Sequence, residues 1–283
     1  MSGPVVGRIA VLMTCHDRRP LTLRCLASLR AAAENVAAEL DVFLVDDGCT
    51  DGTAAAVAEQ FPDVRIIPGS GSLYWCGGMR VAWRAAVDAG GYDGYLWLND
   101  DVQLAPDGLR VLFETAAALV RERGRAGIVV GSTSDADQAG TTYGEMTTAG
   151  VEAAGDTPRP IASFNGNIVL IADEVYRTVG GLSPLYTHGF GDLDYACRAR
   201  RHGIPIWLAP GHLGTCPIGP RSRWERKDLS LWRRFVALHR PTGCPPWELT
   251  WLMLRHGSWW FPVTVARLYW RVLFPRDWQA AAA

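Results

Sequence analysis

The 283-residue sequence predicts an α/β fold with a Rossmann-like, mainly parallel central sheet flanked by helices, followed by a C-terminal helical extension. Three observations carry that reading. Short apolar runs alternate with helix-patterned stretches over roughly the first hundred residues. The conspicuous polar residues fall just after those runs, at the carboxyl ends of strands, where sheets of this kind collect ligands. From about residue 216 the chain changes character and becomes basic and rich in tryptophan.

Arg8 to Thr14 reads as a buried strand, and Pro20 opens a helix with Leu21, Leu23, Leu26 and Leu29 on its apolar side. Val42 to Asp46 is a second strand. Thr50 or Asp51 can cap the helix that runs from there to Phe61. Val64 to Ile67 is a third strand, stopped by Pro68. A glycine-rich loop leads into a helix from about Gly78 to Ala89, and Gly94 to Leu98 is a fourth strand. This order implies parallel strands with helices on both faces. Further on, helices are predicted near 106–123 and 173–179, strands at 128–131 and 163–171, and loops or a hairpin over 132–160. A helical stretch opens at Gly191 and ends near Gly203. The chain thus divides into 1–215, with halves of about 1–105 and 106–215, and an extension over 216–283.

The formal net charge of −1 hides an asymmetry: residues 1–195 carry 14 basic and 25 acidic side chains, and residues 196–283 carry 14 and 4. The acidic part suits a cation. The basic part suits an anionic partner such as a phosphate, an acidic glycan or a membrane surface. Seven scattered cysteines without a CxxC pair argue against a disulfide framework or a zinc site and for a reducing compartment. Met1 to Gly7 lacks signal-peptide features, and no apolar stretch is long enough to span a bilayer. A cytoplasmic location is expected. Nine of the 12 tryptophans lie between Trp207 and Trp278. They read either as helices packing on the domain or as an interfacial surface with aromatic anchors and arginines, peripheral on the inner membrane face. Nucleic acid is not expected as a partner, because the basic residues are interleaved with core-like Trp and Leu.

At the strand ends, Thr14 and His16 sit where a turn can grip a base or ribose, or are plain loop residues. Asp46 and Asp47 can accept from a base N–H or a ribose hydroxyl. Gly69 to Arg80 combines glycines, which let a ligand approach the backbone, with a helix start, which favours anions. The stretch matches neither the P-loop nor the dinucleotide fingerprint. Asn99-Asp100-Asp101 ends the fourth strand with paired carboxylates, oxygen ligands suited to a divalent cation that draws its remaining ligands from phosphates and water. Asp192 and Asp194 open a helix, either complementing its dipole or supplying a general base.

In this order, Thr14-Cys15-His16-Asp17-Arg18, Val45-Asp46-Asp47-Gly48, Trp97-Leu98-Asn99-Asp100-Asp101, Phe164-Asn165-Gly166-Asn167, Val179-Gly180-Gly181-Leu182 and Gly191-Asp192-Leu193-Asp194 resemble the family 2 inverting glycosyltransferases of the GT-A fold, over about residues 8–240. The subgroup is similar to rhamnosyltransferase-like bacterial enzymes that build surface polysaccharides. The resemblance implies a UDP- or dTDP-linked sugar donor, a Mg²⁺ or Mn²⁺ ion, and a glycan or lipid-linked acceptor. It makes the first half the nucleotide-sugar half and the second the acceptor half. It implies Thr14, His16, Asp46 and Asp47 around the nucleoside, and Gly77, Gly78 and Arg80 along the diphosphate or sugar. Asn99, Asp100 and Asp101 fill the DxD slot, with Asp101 and Asp100 toward the metal, and Asp192 is the base. Gly191 stands where the family has Glu, so Asp194 is a candidate to replace that acceptor contact, and His212 is a candidate further metal ligand. Two rival readings are a sugar-nucleotide pyrophosphorylase, whose motif after the first strand is absent, and a non-catalytic glycan- or lipid-binding module.

Overall fold

The computed structural model describes residues 7–125, 127–137, 140–147, 150–152, 155–219 and 222–275. Trp278 and the alanine tail lie outside them. The chain begins with β1 (Arg8–Cys15), α1 (Arg19–Ala33), β2 (Glu39–Asp46), α2 (Thr53–Gln60), β3 (Arg65–Pro68), α3 (Tyr74–Ala89) and β4 (Gly94–Leu98). Strands β3, β2, β1 and β4 lie side by side in that order, all parallel, with a helix in each connection from one strand to the next along the chain.

After β5 (Gln103–Leu104) and α4 (Gly108–Arg123) come β6 (Ile128–Ser134) and four short strands, β7 (Thr141–Tyr143), β8 (Met146–Thr147), β9 (Gly150–Val151) and β10 (Arg159–Pro160). Then follow β11 (Ile168–Ala172), α5 (Asp173–Val179), α6 (Gly191–Arg201) and β12 (Ile206–Thr215). Strand β11 inserts between β4 and β6, antiparallel to both, and β12 pairs parallel with β6. The result is a mixed sheet of order β10-β12-β6-β11-β4-β1-β2-β3.

Both faces of the sheet are covered, which is why β1 is apolar throughout rather than alternating. Its Ile9, Val11 and Met13 enter one core layer, shared with Leu26 and Leu29 of α1 and Leu109 and Leu112 of α4. Ala10 and Leu12 enter the other, with Met79 and Trp83 of α3 and Tyr195 and Ala199 of α6. On that second face Trp83, Trp97, Tyr95, Tyr176 and Tyr195 pack ring against ring at centroid distances of 5.1–5.6 Å. Contacts of that geometry add to the area they bury. The aromatic cluster fixes the end of β4 that carries Asn99.

Three elements differ from the sequence reading. Helix α3 starts at Tyr74, so Gly77 and Gly78 are buried helical residues rather than an open loop. A Cβ on Gly78 would sit 2.1 Å from Thr14 Oγ1, so its absence lets α3 lie against β1. Strand β11 begins at Ile168, because residues 164–167 turn off the sheet toward the end of β4. Strand β12 was not anticipated: Pro210 breaks its pattern, and its register against β6 shifts between Leu208 and His212.

The extension forms α7 (Leu231–His239), α8 (Pro246–Arg255) and α9 (Phe261–Leu273) around a small cluster of Trp224, Ala237, Leu238, Leu268 and Val272. Among the described residues no helix is long and apolar enough to cross a membrane. Gly78→Ala is expected to cost roughly 1–3 kcal/mol by overpacking, read as a lower calorimetric Tm. Gly140→Ala, whose Cβ meets nothing within 4 Å, is expected to leave Tm unchanged.

Candidate active site

A cavity of about 490 Å³ opens at the carboxyl ends of β1, β2 and β4. Its lining includes Asp47, Asp100, Asp101 and Asp192, which three separate stretches of sequence supply. Burying that many carboxylates in one cleft requires a partner for each.

Asp47 is 3 % exposed. Its Oδ1 accepts from the Gly71 amide (2.8 Å), and its Oδ2 accepts from the amides of Leu73 and Tyr74 (both 2.9 Å). The carboxylate thereby ties down the glycine-rich loop and neutralises the first donors of α3. That helix start is therefore not free to bind an anion, contrary to the sequence reading. His16 Nδ1 donates to the Asp47 carbonyl (2.6 Å), leaving Nε2 as its other ring nitrogen.

The β1–α1 and β2–α2 turns are pinned reciprocally. Asp17 Oδ1 accepts from Thr50 N (2.6 Å), and Asp51 Oδ2 accepts from Arg19 N (2.8 Å). Asp46 does not line the cavity. Its Oδ1 accepts from Cys49 N (2.8 Å) and closes the turn after β2. Asp17, Tyr74 and Phe190 have φ of +49°, +53° and +65°, a conformation unfavourable for such residues, and all three flank the cleft or its loops.

At the end of β4, Asn99 is oriented from both sides. Its Oδ1 accepts from Trp75 Nε1 (2.7 Å), and its Nδ2 donates to Asn167 Oδ1 (3.1 Å). Arg18 bridges the next two residues: Nη1 lies 3.1 Å from Asp100 Oδ1, and Nη2 pairs with Asp101 Oδ2. Burial pushes the Asp100 carboxyl up to about 7, against the pull of Arg18 and with the help of the Asp101 charge. Asp101 Oδ1 is buried without a hydrogen-bond partner. A carboxylate with an oxygen lacking a hydrogen-bond partner, beside a second carboxylate at the lining of a cavity, fits a divalent cation.

The opposite wall comes from residues 165–167 and 188–192. Asp192 Oδ2 accepts from Gly166 N (3.1 Å) and Oδ1 from Leu193 N (2.8 Å). Burial raises its carboxyl above the ordinary range, with those two amides opposing. Gly166 is obligatory here, since a Cβ would lie 2.5 Å from the Trp75 ring. His188 lines the same cavity. Burial, with the Arg18 charge, lowers its imidazole and favours the neutral form, which is a competent metal ligand.

Of the residues singled out from sequence, the cleft gathers Thr14, His16, Asp47, Asn99, Asp100, Asp101 and Asp192. It excludes Asp46, Gly77, Gly78 and Arg80. Arg80 instead donates from Nη1 to the carbonyls of Ser183 and Tyr186 (3.0 and 2.9 Å), holding the loop that precedes His188. Asp194 is fully buried away from the cavity lining. Arg198 Nε donates to its Oδ2 (2.8 Å), and His256 Nε2 and Tyr186 OH contact its Oδ1 (3.0 and 3.4 Å). It is a structural anion and does not stand in for an acceptor-binding Glu. At Gly191, where such a Glu would be, a Cβ would sit 2.5 Å from Cys76 Sγ. His212 bonds Thr141 Oγ1 (2.9 Å) and is not among the cavity's lining residues. The sequence reading assigned no role to Arg18, Trp75, His188 or Asn165–Asn167. Arg18 follows His16 by two residues in the same turn, which is the one signal that could have flagged it.

A mixed sheet of this topology, with a cleft at its strand ends, is the GT-A fold seen in solved glycosyltransferases. Similar solved structures include mannosyltransferase PcManGT from Pyrobaculum calidifontis in complex with GDP-Man and Mn²⁺ (TM-score 0.55, 18% identity, 93% of this chain and 74% of that one). Another is S. aureus TarS 1-349 in complex with UDP-GlcNAc (TM-score 0.55, 12% identity, 94% and 71%). The chain belongs to glycosyl transferase family 2, whose model matches residues 10–173. It is 23% identical, over 89% of its length and 86% of the relative's, to N-acetylglucosaminyl-diphospho-decaprenol L-rhamnosyltransferase of Mycobacterium tuberculosis.

Between its ordinary value of 3.8 and about 7, Asp100 holds in the folded state a proton that the unfolded chain has released. Its contribution to stability therefore falls as pH rises through that window. Asp100→Asn lacks this dependence, so its Tm relative to the parent protein is expected to rise from pH 5 to pH 8 in calorimetry at matched ionic strength.

Proposed function

We propose that this glycosyltransferase moves a sugar from a UDP- or dTDP-linked donor to a hydroxyl of a glycan or lipid-linked acceptor, with inversion, in bacterial surface polysaccharide synthesis at the cytoplasmic face of the membrane. The observation that carries the reading is that Asp192, with its raised carboxyl, shares one cavity with the Asp100–Asp101 pair. The nucleotide-sugar half is about 1–105 and the acceptor half about 106–215. The rhamnosyltransferase relative makes a lipid-linked diphosphosugar the first acceptor class to test.

In this mechanism Asp192 takes the acceptor hydroxyl proton as that oxygen attacks the anomeric carbon. The bond from that carbon to the diphosphate oxygen breaks, and the nucleoside diphosphate departs from the opposite side. One displacement gives inversion. Desolvation strengthens Asp192 as a base, and the amides of Gly166 and Leu193 fix its orientation. Asp47 and His16 shape the nucleoside end by holding the glycine-rich loop against β2. Asp101 and Asp100 would hold Mg²⁺ or Mn²⁺, with the neutral His188 facing them from the opposite wall of the cavity. Such an ion neutralises the charge that develops on the leaving diphosphate. Arg18 already balances both carboxylates, so the nucleotide-free protein should bind the ion weakly.

Asp192→Asn is expected to lose at least the 10²–10⁴-fold typical of a general base, while calorimetry shows donor binding largely intact. Turnover like that of the parent protein would exclude Asp192 as the base. Asp101→Ala should make donor binding indifferent to Mn²⁺, and unchanged metal-dependent binding would remove Asp101 from the ion site. Arg18→Gln should tighten Mn²⁺ binding in the absence of nucleotide, measured by the same titration.

A further inference from the structure

The C-terminal helices leave an unusual surface. On α8, Trp247 and Trp251 are each half exposed, and they fall on one side of the helix, four residues apart. The turn to α9 carries Trp259 and Trp260, 83% and 72% exposed, and α9 adds Trp270. Helix α9 buries Leu268 and Val272 against α7 and α8, which turns the tryptophan outward. Its Arg267 is exposed on the same outer side.

Charge selects what covers this face. The described residues 222–275 contain three acids, and each is engaged elsewhere. Glu225 pairs with Arg271 and Asp228 with Arg226, while buried Glu248 accepts from Thr187 N (3.2 Å). The outward residues of α8 and α9 are therefore chiefly tryptophans and other apolar side chains, with Arg267 among them and no acid. Such a surface repels its own copy but matches anionic headgroups, and tryptophan favours the depth where headgroup meets acyl chain. No described helix can span a bilayer, so the contact is interfacial.

The face is also fixed rigidly to the cleft. Thr242, in the turn before α8, lines the cavity. Glu248 of α8 holds Thr187, the neighbour of His188. At the far end of α8, His256 and Arg255 contact Asp194 on the helix that carries Asp192 (3.0 and 3.6 Å). We propose that the tryptophan face of α8 and α9 docks on the headgroup layer of an anionic bilayer and so presents the cleft to a membrane-borne acceptor. The second clause rests on the glycosyl-transfer reading, and the first does not.

The test floats the full-length protein with vesicles of phosphatidylcholine, with and without phosphatidylglycerol, in the absence of donor. Flotation is expected only with the anionic lipid and is expected to weaken with salt. Trp259→Ser with Trp260→Ser should reduce vesicle affinity at least about tenfold, by removing apolar area from the contact. Arg267→Glu should reduce it by roughly fivefold or more, the factor one charge contributes near such a surface. Both variants are surface changes and should keep the parent Tm and donor affinity, so a loss of flotation is not a loss of the site. Failure of the parent protein to float, equal flotation of the variants, or a dimer in light scattering that the tryptophan variants abolish would each overturn the proposal.

Discussion

The constraint on which the rest of the structure depends is the cost of gathering carboxylates in a partly desolvated cleft. Each is compensated differently, and the compensation sets its chemistry. Asp47 is saturated by three backbone amides and becomes a fastener. Asp100 and Asp101 share one guanidinium, which leaves one buried oxygen of Asp101 without a hydrogen-bond partner. Asp192 accepts from two amides and pairs with no cation among the described residues, so burial raises its proton affinity, as it does that of Asp100. Asp194, two residues on, is wrapped by Arg198, His256 and Tyr186 and is spent on architecture.

The aromatic layer serves the same end. Trp83, Trp97 and Tyr195 lock β4 to α3 and α6. Trp75 then reaches from α3 to orient Asn99, and its ring fits only because residue 166 has no side chain. Gly166 in turn offers its amide to Asp192. One close contact between a glycine and an indole thus relates the Asn99 side of the cleft to the Asp192 side. The same logic governs Gly191 and Cys76, where a thiol fills the space that a Glu at 191 would need.

The β1–β4 half was legible in the sequence because strands buried on both faces are apolar runs with little ambiguity. The polar residues that end them could be read directly as site candidates. The six ordered motifs together also pointed to the family that the comparison confirms. What the sequence concealed was tertiary. Gly77 and Gly78 looked like loop glycines because nothing local shows that β1 approaches α3 at that point. Arg80 looked like a phosphate ligand because its carbonyl partners lie about a hundred residues away. Asp46 and Asp47 are indistinguishable in sequence, yet alternation at the strand end sends one into a turn and the other into the cleft. Strand β12 was hidden by Pro210.

The strand order has a consequence for how the molecule is made. Residues 168–172 sit between β4 and β6, although β6 leaves the ribosome earlier. The edge of β4 must therefore wait, unpaired and hydrophobic, while some seventy further residues are synthesised. During that interval the nascent chain has the cleft wall formed at the ends of β1, β2 and β4 and no opposite wall. It gains a complete cleft only when the segment leading into α6, and later Thr242, has emerged.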